Sequence, residues 1–236
     1  MSRRGSRGRP RVEVKLGRRG RTLSIDGTFA SYYEPGMPLT GSVWDALAAP
    51  LVLLPPARRR SVLVLGLGGG SVARVVRALA PAALIVGVEK NREVLGAARR
   101  WLELDALGVE VVEADAREYL ARARRRFDVI VEDIFVGRGR AVHKPAWLPA
   151  PGLELARRRL ARHGLLVSNT IDESSATLRA LRRLFPATVG IEVEDYDNRV
   201  LVAGPRMLGA RALRRAVRAD PLLRATLPRL SFRTLG

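Results

Sequence analysis

The chain has 236 residues, 47% of them hydrophobic, and a formal net charge of +19, a size that suits one α/β domain with a small appendage. It holds no cysteine and two histidines, His143 and His163, which excludes disulfides and a thiol nucleophile and argues against a histidine-rich metal site. No apolar run approaches a membrane span and the basic N-terminus lacks an apolar export core, so a cytoplasmic soluble protein without membrane contact is expected.

Residues 1–10 are rich in Arg, Gly and Ser and read as a disordered basic tail. Residues 11–57 read as a small N-terminal unit. In it, Arg11–Leu16 and Thr22–Ile25 form a β-hairpin about Gly17-Arg-Arg-Gly20, Ser31–Thr40 is a loop, and Ser42–Leu54 is a helix stopped by Pro55-Pro56. Residues 58–204 alternate strand and helix. Strands are expected at Val62–Leu65, Leu84–Val88, Glu110–Val112, Phe127–Val131 and Leu165–Ser168. Helices are expected at Val72–Leu79, Arg92–Leu104, Arg117–Ala123, Gly152–Ala161 and Ser174–Leu184. Such alternation implies parallel strands, right-handed crossovers and a doubly wound sheet. Gly190–Glu194 and Arg199–Ala203 flank Asp195-Tyr-Asp-Asn198 and read as an antiparallel edge hairpin. Residues 205–236 read as a basic helical tail, with the helix at Met207–Leu222.

The charge is uneven: residues 1–22 carry +8, residues 205–236 carry +7 and the long centre only +4. Basic ends attract polyanions, so nonspecific nucleic-acid contact through the termini is one expectation. The competing reading is a solvated surface in an arginine-biased chain, since Lys15, Lys90 and Lys144 are the only lysines.

The most informative stretch is Ser61-Val-Leu-Val-Leu-Gly-Leu-Gly-Gly-Gly-Ser71, a strand running into four glycines and a helix. Glycines belong where a backbone turns sharply and a ligand must come close. Glu89 ends the next strand, where a carboxylate can accept from both ribose hydroxyls. Gly66, Gly68 and Ser71 nearly fit G-x-G-x-x-G/A, which keeps NAD open. In an open α/β sheet, ligands bind beyond the carboxyl ends of the strands. The residues there are Gly66–Ser71, Glu89, Ala114-Asp115-Ala116, Glu132-Asp133 and Asn169-Thr170. Asp115 alone could be a helix cap, but several carboxylates on one rim call for a cationic partner.

Asp115 in Glu-Ala-Asp-Ala and Phe127-Asp-Val-Ile-Val-Glu-Asp133 resemble the GDA and FDVIIVD segments of spermidine synthases. So do Ile25-Asp26-Gly27, His143-Lys-Pro and Gly164-Leu-Leu-Val-Ser-Asn169, over roughly residues 12 to 203. The resemblance implies a Rossmann-like sheet of the class I methyltransferase type. It also implies S-adenosylmethionine, or its decarboxylated form, as the group donor. Carried over, Gly66, Gly68 and Gly70 line the methionine-like part, Glu89 holds the ribose, and Asp115 with Ala116 meets the adenine. Asp133 faces sulfonium and acceptor as the candidate base. A sulfonium is the cation those carboxylates lack, which favours this donor over NAD.

The departures matter as much. Where spermidine synthases carry GGGDGG this chain has Gly69, and Val136 stands at the second aspartate of DSSDP. Ala30 stands at the glutamine of DG-x-x-Q, and DE-x-x-Y becomes Thr40-Gly41 to Trp44. Acids at such positions hold a diamine's ammonium groups, although Glu34, Asp45 or Glu132 could replace them. Methyl transfer to a small-molecule acceptor is therefore the expectation. Aminopropyl transfer and a non-catalytic nucleic-acid-binding role are the alternatives, and the sequence leaves room for a homodimer. Tyr32 and Tyr33 with Trp44 are candidates for an acceptor wall or for hairpin packing, Glu132 for the acceptor site, and His143 for a base or a surface residue.

Overall fold

The computed structural model describes residues 10–235; apart from Pro10, the expected basic tail lies outside them. Strands β1 (Val12–Leu16), β2 (Arg21–Ile25) and β3 (Thr28–Tyr33) form a small antiparallel sheet. The third strand was not expected. Asp26-Gly27, both at positive φ (50° and 77°), make a two-residue turn that fits the twist of a hairpin. Beyond it Ser31 and Tyr33 are buried on one face, while Phe29, two residues before Ser31, is exposed because the pairing of β2 with β3 shifts register between Leu23 and Ser24. Leu23 and Tyr33 of this sheet pack on Val94 and Leu102.

Helix α1 (Val43–Ala48) gives way to a 3-10 turn at Ala49–Leu53, because Pro50 has no N–H with which to continue an α-helix. Then come β4 (Ser61–Leu65), α2 (Ser71–Leu79), β5 (Leu84–Glu89), α3 (Arg92–Trp101), β6 (Glu110–Glu113), α4 (Ala116–Arg122) and β7 (Phe127–Glu132). Helix α5 (Gly152–Arg158) is followed at once by the long β8 (Leu160–Thr170), so the helix ends sooner than expected. The chain finishes with α6 (Ser174–Leu184), β9 (Ala187–Val193), β10 (Arg199–Gly204), α7 (Ala210–Ala219) and β11 (Leu230–Leu235).

The large sheet runs β11-β9-β10-β8-β7-β4-β5-β6. The five strands from β8 to β6 are mutually parallel, and β10 is antiparallel to both β8 and β9. This is the class I methyltransferase arrangement that the resemblance implied. Central strands are apolar on both faces, as a sheet covered by helices on both sides requires. Val62 and Val64 join one core with α1, α2 and α7, while Leu63 and Leu65 join the other with α4, α5 and α6. Strand order reverses at the β4–β7 junction, which opens a crevice beyond their carboxyl ends.

The C-terminal segment is not simply a helical tail. Past α7 and a 3-10 turn, Leu230-Ser-Phe-Arg alternates apolar and polar, and Leu230–Leu235 pairs antiparallel with β9. The expected edge hairpin β9–β10 is present, but β11 is the true edge. Among the described residues no helix is long and apolar enough to cross a membrane.

Candidate active site

The turn after β4 is held through its backbone N–H groups. Gly66 N–H and Leu67 N–H both donate to the Val88 carbonyl at 3.0 Å, and Gly70 N–H donates to Leu67 at 2.9 Å. Gly68 N–H donates to Glu89 Oε2 at 3.0 Å, and Gly69 N–H to Ser31 Oγ at 2.6 Å. All five successive N–H groups are thus engaged within the protein. Gly66 has φ +81°, and a Cβ there would lie 2.5 Å from the Asp133 carbonyl oxygen, so only glycine lets the β7 loop close on this turn. At Gly69 a Cβ would meet Leu102 Cδ2 at 2.6 Å and Ser31 Cβ at 2.7 Å. A side chain, aspartate included, has no room there.

Glu89 is half-buried at the end of β5, and its second oxygen, Oε1, accepts from Asn91 N–H at 3.0 Å. Two backbone donors therefore aim its carboxylate and leave lone pairs on both oxygens. Asp115 caps α4 through Oδ1, which accepts from Arg117 N–H at 2.9 Å, with Ala116 buried beside it. Among the described residues, neither these two carboxylates nor Asp133 forms an ion pair.

The other half of the crevice is made of side chains. Asp133 Oδ1 accepts from Asn169 Nδ2 at 2.8 Å, and Oδ2 accepts from Trp44 Nε1 at 3.1 Å. Burial pushes the Asp133 carboxyl above its usual range, with Glu132 adding to the rise, while Asn169, Lys144 and Trp44 act against it. Trp44, on α1, is buried and braced edge-on by Phe29 at 4.9 Å between ring centres. Asn169 Oδ1 in turn accepts from Asn198 Nδ2 at 3.0 Å.

Beneath Asp133 lies a buried ion pair. Glu132 and Lys144 side chains are both 2% exposed, with Nζ 2.7 Å from Oε1. Glu132 also accepts from Ile134 N–H at 2.8 Å and Ser168 Oγ at 2.6 Å, and Lys144 Nζ donates to the Ile134 carbonyl at 2.9 Å. A buried pair with its remaining valences filled is costly to half-remove.

The structure brings Gly66, Gly68, Gly70, Glu89, Asp115, Ala116 and Asp133 to adjoining strand ends of one sheet edge. The sequence left Tyr32, Tyr33 and His143 with two readings each, of which the structure fits the second, and the acceptor role of Glu132 needs correction. Tyr33 is buried and lies against the guanidiniums of Arg74 (4.2 Å) and Arg21 (5.6 Å), so it packs the small sheet rather than walling an acceptor. Tyr32 bonds Glu34 through its hydroxyl (2.9 Å) and Ser71 through its backbone, which is hairpin packing as well. Glu132 is consumed by its buried partners. His143 is exposed, its Nδ1 3.1 Å from the Ala141 carbonyl, a surface loop position. Ser31, Lys144 and Asn198 were missed. Lys144 alone had a signal, as a lysine in an arginine-dominated chain.

No family model matches the chain. It is 29% identical over 158 residues to a polyamine aminopropyltransferase of Neisseria meningitidis, covering 64% of this chain and 59% of the relative. It is 28% identical over 153 residues to a Drosophila melanogaster eEF1A lysine and N-terminal methyltransferase homolog, covering 60% of this chain and 23% of that protein. A probable spermidine synthase from Corynebacterium glutamicum superposes with a TM-score of 0.76 at 21% identity, over 95% of this chain and 88% of that one. Fold and strand order thus define a Rossmann-like protein of the class I methyltransferase type. Within that class its likeness is to the spermidine synthase-like proteins, as its motifs implied. The chain spans less than two thirds of the length of the first curated relatives it matches.

Proposed function

We propose that this protein binds an S-adenosylmethionine-type donor and transfers its methyl group to a small-molecule acceptor that is not a free diamine. One observation carries this reading: of the three acids that could replace the missing diamine ligands, Asp45 and Glu132 are buried and committed to partners within the protein. Asp45 is buried and accepts from Thr40 N–H, Thr40 Oγ1 and Gly41 N–H, each at 2.8 Å. Glu34 is held by the Tyr32 hydroxyl, and Glu132 by Lys144 and Ser168. A diamine would meet Asp133 but neither of the two buried acids for its second ammonium.

The residues fit the donor. With its N–H groups engaged, the glycine turn offers no anion cradle for a pyrophosphate, whereas Glu89, Asp115 and Asp133 suit a cation. When bound, such a donor supplies an electrophilic carbon on a sulfonium. Glu89 would hold the ribose hydroxyls, Asp115 the adenine amino group and the glycine turn the methionine part. Gly69 leaves the donor's own carboxylate unopposed. Asp133 orients the acceptor and takes its proton, and Oδ2, held only by the longer Trp44 bond, is the freer oxygen for it.

Aminopropyl transfer from the decarboxylated donor is the rival, favoured by the names of the bacterial relatives. Calorimetry with both donors, then incubation of decarboxylated donor with putrescine, decides between them. Preference for S-adenosylmethionine and negligible spermidine are expected; efficient spermidine formation overturns the reading. A polyanion contact has separate support, since Arg211, Arg214, Arg215 and Arg218 of α7 are exposed and form no ion pair among the described residues. Absence of low-salt retention on nucleic acid would dismiss it.

A further inference from the structure

Asp133 stands at the end of a polar chain that starts two strands away. Asn169, 3% exposed at the end of β8, donates through Nδ2 to Asp133 Oδ1 at 2.8 Å. A primary amide has two unlike ends. Turned over, Asn169 would set its carbonyl oxygen against the same carboxylate, and attraction would become repulsion. Its other end decides which way it lies. Asn198, in the turn between β9 and β10, donates through Nδ2 to Asn169 Oδ1 at 3.0 Å. A donor there draws the Asn169 oxygen towards the turn and sends its NH2 towards Asp133. The turn is held in place, because Asn169 pairs with Val200 in the β8–β10 ladder and Thr170 Oγ1 donates to the Arg199 carbonyl at 2.7 Å.

We propose that Asn198 is a positioning residue for Asp133: by fixing the Asn169 amide, it keeps a donor rather than an acceptor against the carboxylate and so sets how readily Asp133 takes a proton. Its bearing on catalysis rests on the proposed role of Asp133; the chain of bonds does not. The other groups facing Asp133 are Glu132 on its own strand, Lys144 from the following loop, paired to Glu132, and the Trp44 indole on α1. The nearest charges in the turn are Asp197 and Arg199, which flank Asn198 in sequence.

The test follows the Asp133 carboxyl carbon by NMR through a pH titration of the full chain, with the signal assigned by Asp133→Asn. In Asn198→Asp an acceptor replaces the donor, Asn169 turns over, and the Asp133 midpoint rises by about one pH unit or more. In Asn198→Ala the lock is lost without added charge, and the midpoint rises by a smaller but resolved amount. Asp197→Asn changes the charge of the turn without touching the chain, and serves as the measure of bare Coulomb effects. An unchanged midpoint in Asn198→Ala overturns the proposal. So does a shift in Asn198→Asp no larger than that of Asp197→Asn with its sign reversed. Should Asn198→Asp fail to fold, Asn198→Ala decides alone. In turnover assays the same variants move the acid limb of kcat and leave donor affinity unchanged. If no transferase activity is found, the titration still stands or falls by itself.

Discussion

The two halves of the crevice are built differently. On the β4–β6 side, position comes from the backbone: a glycine turn whose N–H groups are all engaged, and a carboxylate, Glu89, pinned by two of the backbone's donors. On the β7–β8 side, position comes from side chains far apart in sequence. Trp44 is 89 residues from Asp133, Asn169 is 36 away, and Asn198 is 29 beyond that. A site made of backbone can hardly change without refolding the turn. A site made of side chains can be respecified one residue at a time. The glycine-turn half departs from the spermidine synthase pattern at Gly69 alone, and the side-chain half departs from it at Ala30, Thr40, Gly41 and Val136.

The largest effect is expected where the side-chain half is buried most deeply. Lys144→Met leaves the Glu132 carboxylate without its cation and should cost about 3–5 kcal/mol of stability. Adding Glu132→Gln should return at least half of it. Urea unfolding of the single and double variants measures both, and a single-variant loss below about 1 kcal/mol would mean that the pair does not hold this half together.

Asp133→Asn should leave donor affinity within a modest factor and lower turnover roughly 100-fold or more. Because the carboxyl is pushed up, the acid limb of kcat should lie above the ordinary carboxylate range, with activity lost as pH falls through it. The sign for stability is opposite to that of a paired carboxylate. A raised folded value favours the protonated form, so its contribution to stability is present at low pH and lost as pH rises through that value. At neutral pH Asp133→Asn should therefore melt no lower than the parent. A clear drop in Tm with unchanged turnover would make Asp133 structural and collapse the contrast between the halves.

On the donor side, Glu89→Ala removes a charge-assisted pair of ribose contacts and should cost about 2–3 kcal/mol of donor affinity. That is a loss of roughly 30- to 150-fold, read by calorimetry. Unchanged affinity in a folded variant would remove Glu89 from the site.

The same division explains how far the sequence could be read. Strand, glycine turn, helix and acid lie within Ser61–Glu89, and such local order survives in a linear pattern. The third strand of the small sheet was missed although Asp26-Gly27 announced it, because Pro35, Gly36 and Pro38 follow Ser31–Tyr33 closely and give that stretch the composition of a loop. β11 was missed because only Leu230 and Phe232 alternate with polar residues, Leu235 falls out of phase, and arginines dominate residues 205–236. Tyr33, open between acceptor wall and hairpin packing, and Glu132, a candidate for the acceptor site, are both turned inward by burial, Tyr33 towards arginines and Glu132 towards Lys144. No spacing rule links Asn198 to Asp133, since the Asn198–Asn169 bond that connects them exists only once β8 and β10 are paired.

The smallest effect tests the finest part of the contrast. Trp44 occupies the place of a tyrosine in the related motif, and it differs in one chemical respect: an indole N–H donates but cannot accept a proton. It can steady Asp133 without competing for the proton Asp133 takes. Trp44→Phe keeps an aromatic ring for Phe29 to pack on and deletes only the 3.1 Å bond to Oδ2. At 3.1 Å the bond is long for a charge-assisted one and stands at the low end of the range for bonds to charged groups, about 1.5 kcal/mol, so turnover should fall by roughly 12-fold. Losing a donor also disfavours the charged form, so the acid limb of kcat should move upward while donor affinity stays put. Trp44→Tyr restores a hydroxyl able both to give and to accept. If that variant equals the parent in turnover and in pH profile, the donor-only character of Trp44 has no role. If it keeps the affinity but flattens the acid limb, the indole is there to hold Asp133 and nothing more.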